Sequence, residues 1–194
     1  MSDFKYYKVV PSFLDEQTVG VLAKYIQNRI NMSSWDIRDN PNNYNTEPSA
    51  FNCYGDPLLE IILKEQTDNI SEIVGKTLCP TYSYGRVYAG NDELTNHVDR
   101  ESCEYSVTIT VGVEGNPWPI WMKAPDSKPQ SFELSPGDAV VYKGCEVRHW
   151  RNPMPQYGCS ANAQFMLHYV DMNGPFADFK YDKRPDLGMP RNNS

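Results

Sequence analysis

Two periodicities divide the chain. Up to residue 78 the apolar positions recur mostly at helical spacing, and beyond it they fall in short runs broken by turns. Residues 4–10 mix aromatic, polar and β-branched side chains and predict a short opening strand. Residues 16–30 place Val19, Leu22, Ile26 and Ile30 on one helical face. The segment 31–51 is rich in Asn, Pro and Ser and predicts a long irregular loop, of a length that suits a lid over a site. Residues 57–78 predict a second helix with Leu58, Ile61, Ile62, Ile70, Ile73 and Val74 turned inward.

After residue 79 about eight strands are predicted, near 81–89, 93–99, 104–113, 119–123, 130–134, 139–143, 149–152 and 161–171. Turn clusters such as Gly90-Asn91-Asp92 and Ser135-Pro136-Gly137-Asp138 separate them. Strands at this spacing predict a mainly β sandwich or barrel with the N-terminal helices against one sheet. The 194 residues read as a single domain, with 1–78 as support, 79–171 as barrel and 172–194 as a polar, Pro-rich tail. That tail is expected to lie on the surface or fray.

Composition narrows the classes. A net charge of −7 disfavours non-specific binding to nucleic acid or to an anionic membrane. Five scattered cysteines without a Cys-x-x-Cys pair argue against a disulfide framework or a structural zinc site. They fit a reducing compartment, so a cytoplasmic location is expected. The opening MSDFKYYKVV carries no basic region followed by an apolar run, and no uncharged stretch is long enough to span a bilayer.

The chemistry concentrates on three histidines, His97, His149 and His168. His97 and Asp99 are two residues apart, and in extended chain such residues point to the same side, so both can reach one ion. A third ligand must come from elsewhere in the fold. Two imidazoles and one carboxylate, with positions left open, form the ligand set of non-haem iron(II) oxygenases. Taken alone, His-x-Asp also describes a hydrogen-bonded surface pair, and His149 a structural histidine. Context separates the readings: Asp99 follows a strand–turn–strand unit, and His149 follows a Pro-Gly-Asp turn and an apolar strand.

Residues 84–99 (YGRVYAGNDELTNHVD) and 134–150 (LSPGDAVVYKGCEVRHW) resemble the motif-bearing strands of the 2-oxoglutarate/iron(II)-dependent dioxygenases, particularly the prolyl 4-hydroxylase-like branch. The likeness covers roughly residues 79–171. It implies a double-stranded β-helix, a jelly-roll or cupin-like barrel, holding Fe(II) on His97, Asp99 and His149. It also implies 2-oxoglutarate and O2 as cosubstrates and hydroxylation of a small molecule or a peptide, with peptidyl proline or a free amino acid as examples. No catalytic side chain beyond the metal ligands is implied.

The branch supplies a tyrosine hydroxyl to the cosubstrate, here Tyr88, and a cation at the opening of the last strand. Residues 155–162 contain no Lys or Arg. Arg151, two residues after His149 and so on the same face, is the replacement expected to hold the far carboxylate. Arg86 and Lys123 are lesser candidates, and Asn162 can add a neutral hydrogen bond. Arg100 and His168 are placed on the substrate side, while Trp118, Trp121 and Trp150 read as core or pocket wall. The rival reading is a cupin-like metal-binding protein without oxygenase activity, which the missing cation keeps open.

Overall fold

The computed structural model describes residues 4–36 and 51–190. Ten strands form two antiparallel sheets: β1 Tyr7–Val10, β2 Phe51–Tyr54, β3 Leu78–Ala89, β4 Leu94–His97, β5 Tyr105–Gly115, β6 Ile120–Lys123, β7 Gln130–Phe132, β8 Ala139–Lys143, β9 Arg148–Arg151 and β10 Cys159–Asp171. The larger sheet has the order β1-β8-β5-β10-β3-β2 and the smaller β4-β9-β6-β7.

The two faces of the large sheet differ in chemistry because successive strand residues point to opposite sides. On one face Val107, Ile109, Phe165 and Leu167 form a single apolar core with Leu22 and Ile26 of helix α1 (Glu16–Asp36). Leu59 and Leu63 of α2 (Pro57–Glu65) and Ile70 and Val74 of α3 (Thr67–Val74) complete it. On the other face Ser106, Thr108, Gln164 and His168 are all buried polar groups. Thr108, Gln164 and His168 line a cavity closed on its far side by the small sheet. Water is driven from the apolar face, whereas the polar face stays paired by hydrogen bonds such as Thr108 Oγ1 to Gln164 Oε1, 3.1 Å.

The N-terminal elements depart from the sequence pattern in three places. Helix α1 runs on through residues 31–36, which the Asn-rich composition assigned to loop. Residues 37–50, and with them the proposed lid, lie outside the described residues. Strand β2 at the end of that segment pairs with β3, although four residues of mixed polarity carry no readable period. The predicted helix 57–78 is two helices meeting at Gln66, which closes α2 and opens α3. Asp56 caps α2 by accepting from the Leu58 and Leu59 N–H groups, and Gly75, at φ 74°, ends α3 in the left-handed conformation that glycine adopts without a Cβ clash.

The tail was expected at the surface, but its first part is docked. Asp182 and Arg184 are 3% and 5% exposed. Arg184 Nη2 lies 2.5 Å from Glu60 Oε1 and donates to the Thr81 carbonyl at 3.0 Å. Its Nε donates to the Tyr181 carbonyl at 2.9 Å. A buried guanidinium and carboxylate hold each other in place because either alone would be a desolvated charge. This pair anchors the strap over α2 and β3 even though Tyr181, Asp182 and Lys183 take left-handed backbone angles.

Candidate metal centre

Strands β4 and β9 set His97 directly opposite His149, with ring centroids 4.3 Å apart. Asp99 lies just past the end of β4, where its N–H donates to the Gly144 carbonyl at 2.9 Å. A Cβ on Gly144 would stand 2.6 Å from Asp99 Oδ2, so only glycine lets this turn come so close to the carboxylate. Asp99 Oδ1 is 3.5 Å from His97 Nε2 and 3.5 Å from His149 Nε2. Each imidazole is oriented from behind: Nδ1 of His97 is 2.7 Å from the Thr95 carbonyl, and Nδ1 of His149 is 3.1 Å from that of Val147. With Nδ1–H donating to a carbonyl, both Nε2 lone pairs face the same point.

The outer oxygen of Asp99 is also fixed, by Ser106 Oγ donating to Oδ2 at 2.8 Å. Ser106 Oγ stands 2.9 Å from His168 Nδ1 as well. Its single proton goes to the carboxylate, so His168 Nδ1–H donates to it. Burial works to raise the Asp99 pKa, but the His97 hydrogen bond, His149, His168 and the Ser106 hydrogen bond hold it well below the usual carboxylate range. Burial lowers the pKa of His149 despite the pull of Asp99, so this ring is neutral. An ionised carboxylate oxygen and two imidazole Nε2 atoms, all within 4.8 Å of one another, fit a divalent iron with open positions. Asp99, Cys103 and His168 also lie within reach of one another. That set is the poorer one: burial pushes the Cys103 thiol up to about 12, and the His168 Nδ1–H is committed to Ser106.

The triad opens into a cavity of about 220 Å³. Arg151 lines it and is 2% exposed. Its Nη1 donates to the Trp118 carbonyl and its guanidinium lies 5.0 Å from the Trp118 ring centroid. Nη2 is buried without a hydrogen-bond partner. Burial lowers the Arg151 pKa to about 10, which leaves it charged at neutral pH. Tyr88 also lines the cavity, edge-on to Trp118 at 5.0 Å.

The remaining candidates are sorted by the same geometry. Asn162 is buried but does not line the cavity; its Oδ1 accepts from Gln164 Nε2, and Gln164 forms the wall instead. Asn162 stands opposite Tyr88, at the level of the cavity, but its side chain is taken up by Gln164. Arg100 does not line the cavity either: it pairs with Asp182 at 3.0 Å and lies over the Tyr82 ring. The docked tail thus occupies the residue placed on the substrate side. His168 is in the wall, packed on Tyr82 at 4.5 Å. Lys123 is exposed, and Trp121 and Trp150 stack on each other away from the cavity. Sequence reasoning missed Ser106, Gly144, Thr108 and Gln164, which no motif marks.

No protein family matches the sequence, and no curated protein does. Solved structures do match. EctD from S. alaskensis with bound Fe is 15% identical and superposes with a TM-score of 0.70 over 97% of this chain and 84% of that one. The fold is that of the 2-oxoglutarate/iron(II) oxygenases. A Pseudomonas putida prolyl-4-hydroxylase agrees, at 15% identity and a TM-score of 0.61 over 85% and 92% of the two chains. A 2OG-Fe(II) oxygenase family oxidoreductase from Burkholderia pseudomallei matches over 59% of each chain, at 18% identity and a TM-score of 0.50. In this oxygenase fold the two sheets are those of a double-stranded β-helix, as the motif strands implied.

Proposed function

We propose that the chain is an iron(II)- and 2-oxoglutarate-dependent oxygenase, a single catalytic domain that hydroxylates a small molecule or peptide. The observation that carries this reading is the pairing, in one cavity, of the His97–Asp99–His149 set with a buried guanidinium that has no carboxylate partner among the described residues. When bound, the iron and 2-oxoglutarate supply the oxidising chemistry, in which decarboxylation to succinate is coupled to hydroxylation of a C–H bond. His97 and His149 would contribute Nε2 donors, each ring held through Nδ1 by a backbone carbonyl, and Asp99 a carboxylate oxygen held by Ser106. Arg151 receives the far carboxylate of 2-oxoglutarate through Nη2, while Trp118 fixes the rest of the guanidinium. The Tyr88 hydroxyl is offered to the same carboxylate. Leu94 and Ile120 give the same cavity an apolar wall that would limit water there.

A cytoplasmic setting suits the five thiols, and among the described residues no helix is long and apolar enough to cross a membrane. The test is succinate release from 2-oxoglutarate under air with added iron(II). Wild type is expected to turn over, His149→Ala to lose turnover entirely, and Arg151→Ala to need far more 2-oxoglutarate. Iron binding without any affinity for 2-oxoglutarate would instead establish the cupin-like protein without oxygenase activity.

A further inference from the structure

The cavity holds more positive charge than the cosubstrate can balance. Besides Arg151 it is lined by Arg86, on β3 between Tyr84 and Tyr88. The Arg86 guanidinium lies 4.3 Å from the Tyr88 ring centroid. Its Nε is buried without a hydrogen-bond partner, and Arg86 makes no ion pair among the described residues. Asp99 is the single acid among the described residues that line the cavity. His168 adds no charge at neutral pH, because burial holds it at about 4.

A divalent ion on one carboxylate leaves one positive charge, and the two arginines add two more. 2-Oxoglutarate brings two negative charges. One positive charge is then still unmatched in a space walled in part by Tyr84, Leu94, Ile120 and Met166, where the Arg86 side chain is half-buried. Arg86 and Arg151 come from different sheets, although both guanidinium groups act on Tyr88. Arg86 sits on β3 of the large sheet, between Gln164 of β10 and Asn52 of β2, whereas Arg151 rises from β9 of the small sheet beside His149.

We propose that Arg86 is the recognition group for a carboxylate on the prime substrate, so that the substrate is a small organic acid. This rests on the oxygenase reading, in which Arg151 holds the cosubstrate. The planar fork of Arg86 matches a carboxylate, and Tyr84 and Met166 of the cavity wall are left to hold the apolar remainder of the acid. No bond is made or broken at Arg86. It fixes which part of the acid is turned toward the iron.

The test is calorimetric binding to the iron(II) protein under nitrogen, saturated with 2-oxoglutarate. The probes are aliphatic, aromatic and α-amino monocarboxylic acids, each paired with its carboxamide. At least one acid is expected to bind about tenfold or more tighter than its amide. That preference should vanish in Arg86→Gln and survive in part in Arg86→Lys, with thermal melts of both variants showing the same fold. The Kd for 2-oxoglutarate should rise in Arg151→Gln and stay nearly level in Arg86→Gln. No acid outbinding its amide overturns the proposal. A 2-oxoglutarate Kd raised equally by both substitutions also overturns it, making Arg86 a second cosubstrate anchor while leaving the oxygenase intact. Absence of 2-oxoglutarate binding in wild type removes the oxygenase reading and this inference with it.

Discussion

Strands β5 and β10 present two unlike surfaces from one backbone. Toward the helices they give Val107, Ile109, Phe165 and Leu167; toward the cavity they give Ser106, Thr108, Gln164 and His168. Both surfaces are buried, so burial alone does not tell scaffold from site. What differs is how each is satisfied. The outer surface depends on volume and contact, and the inner one on hydrogen bonds whose donors and acceptors are counted one by one.

The comparison can be broken from either side. The largest expected effect is on the outer side: Ile109→Ala should lower unfolding stability by about 2–5 kcal/mol in urea titrations while iron affinity stays the same. A loss of iron affinity with unchanged stability would reverse the assignment of the two faces. Next is the response to acid of the inner side. His168 has a folded pKa of about 4 against an unfolded value of 6.5, so the unfolded chain binds the extra proton between those values. Stability contributed by neutral His168 is therefore present above pH 6.5 and lost as pH falls toward 4, by roughly 3 kcal/mol in total. Urea titrations of wild type and His168→Gln at pH 7 and pH 4.5 should show the larger drop in wild type. Equal drops would mean the ring is not neutral in the fold. The smallest effect should come from Ser106→Ala, which frees Asp99 Oδ2 and should weaken iron binding about 10- to 100-fold. Unchanged affinity would show that Ser106 does not position the carboxylate.

The legible parts of this molecule were those with short-range signatures. His97 and Asp99 share a side because they are two residues apart, and Arg151 could be named from its spacing to His149 by the same rule. Ser106, Gly144 and Gln164 carry no such mark, since their roles depend on which strands become neighbours: Ser106 reaches Asp99 from β5, seven residues on. Asn162 lay on the expected strand, but its side chain is engaged by Gln164, a partner that spacing does not reveal as a competitor. The break at Gln66 was hidden because apolar positions continue at helical spacing across it, and the tail does run over the surface, but its anchoring was hidden because composition conceals the buried partner, Glu60, that Arg184 requires.

That partner is made early in synthesis and matched late. Glu60 leaves the ribosome well before Arg184, and β3 must likewise wait for β10, its neighbour in the sheet. β1 waits for β8 in the same way. Pairings of such long sequence separation close slowly, so the barrel is expected to assemble after its last strand has emerged rather than in step with translation. The strap is then the final element to dock. Ending the chain at residue 176 would leave Glu60 without its guanidinium, in a protein that still contains every residue of the candidate metal centre.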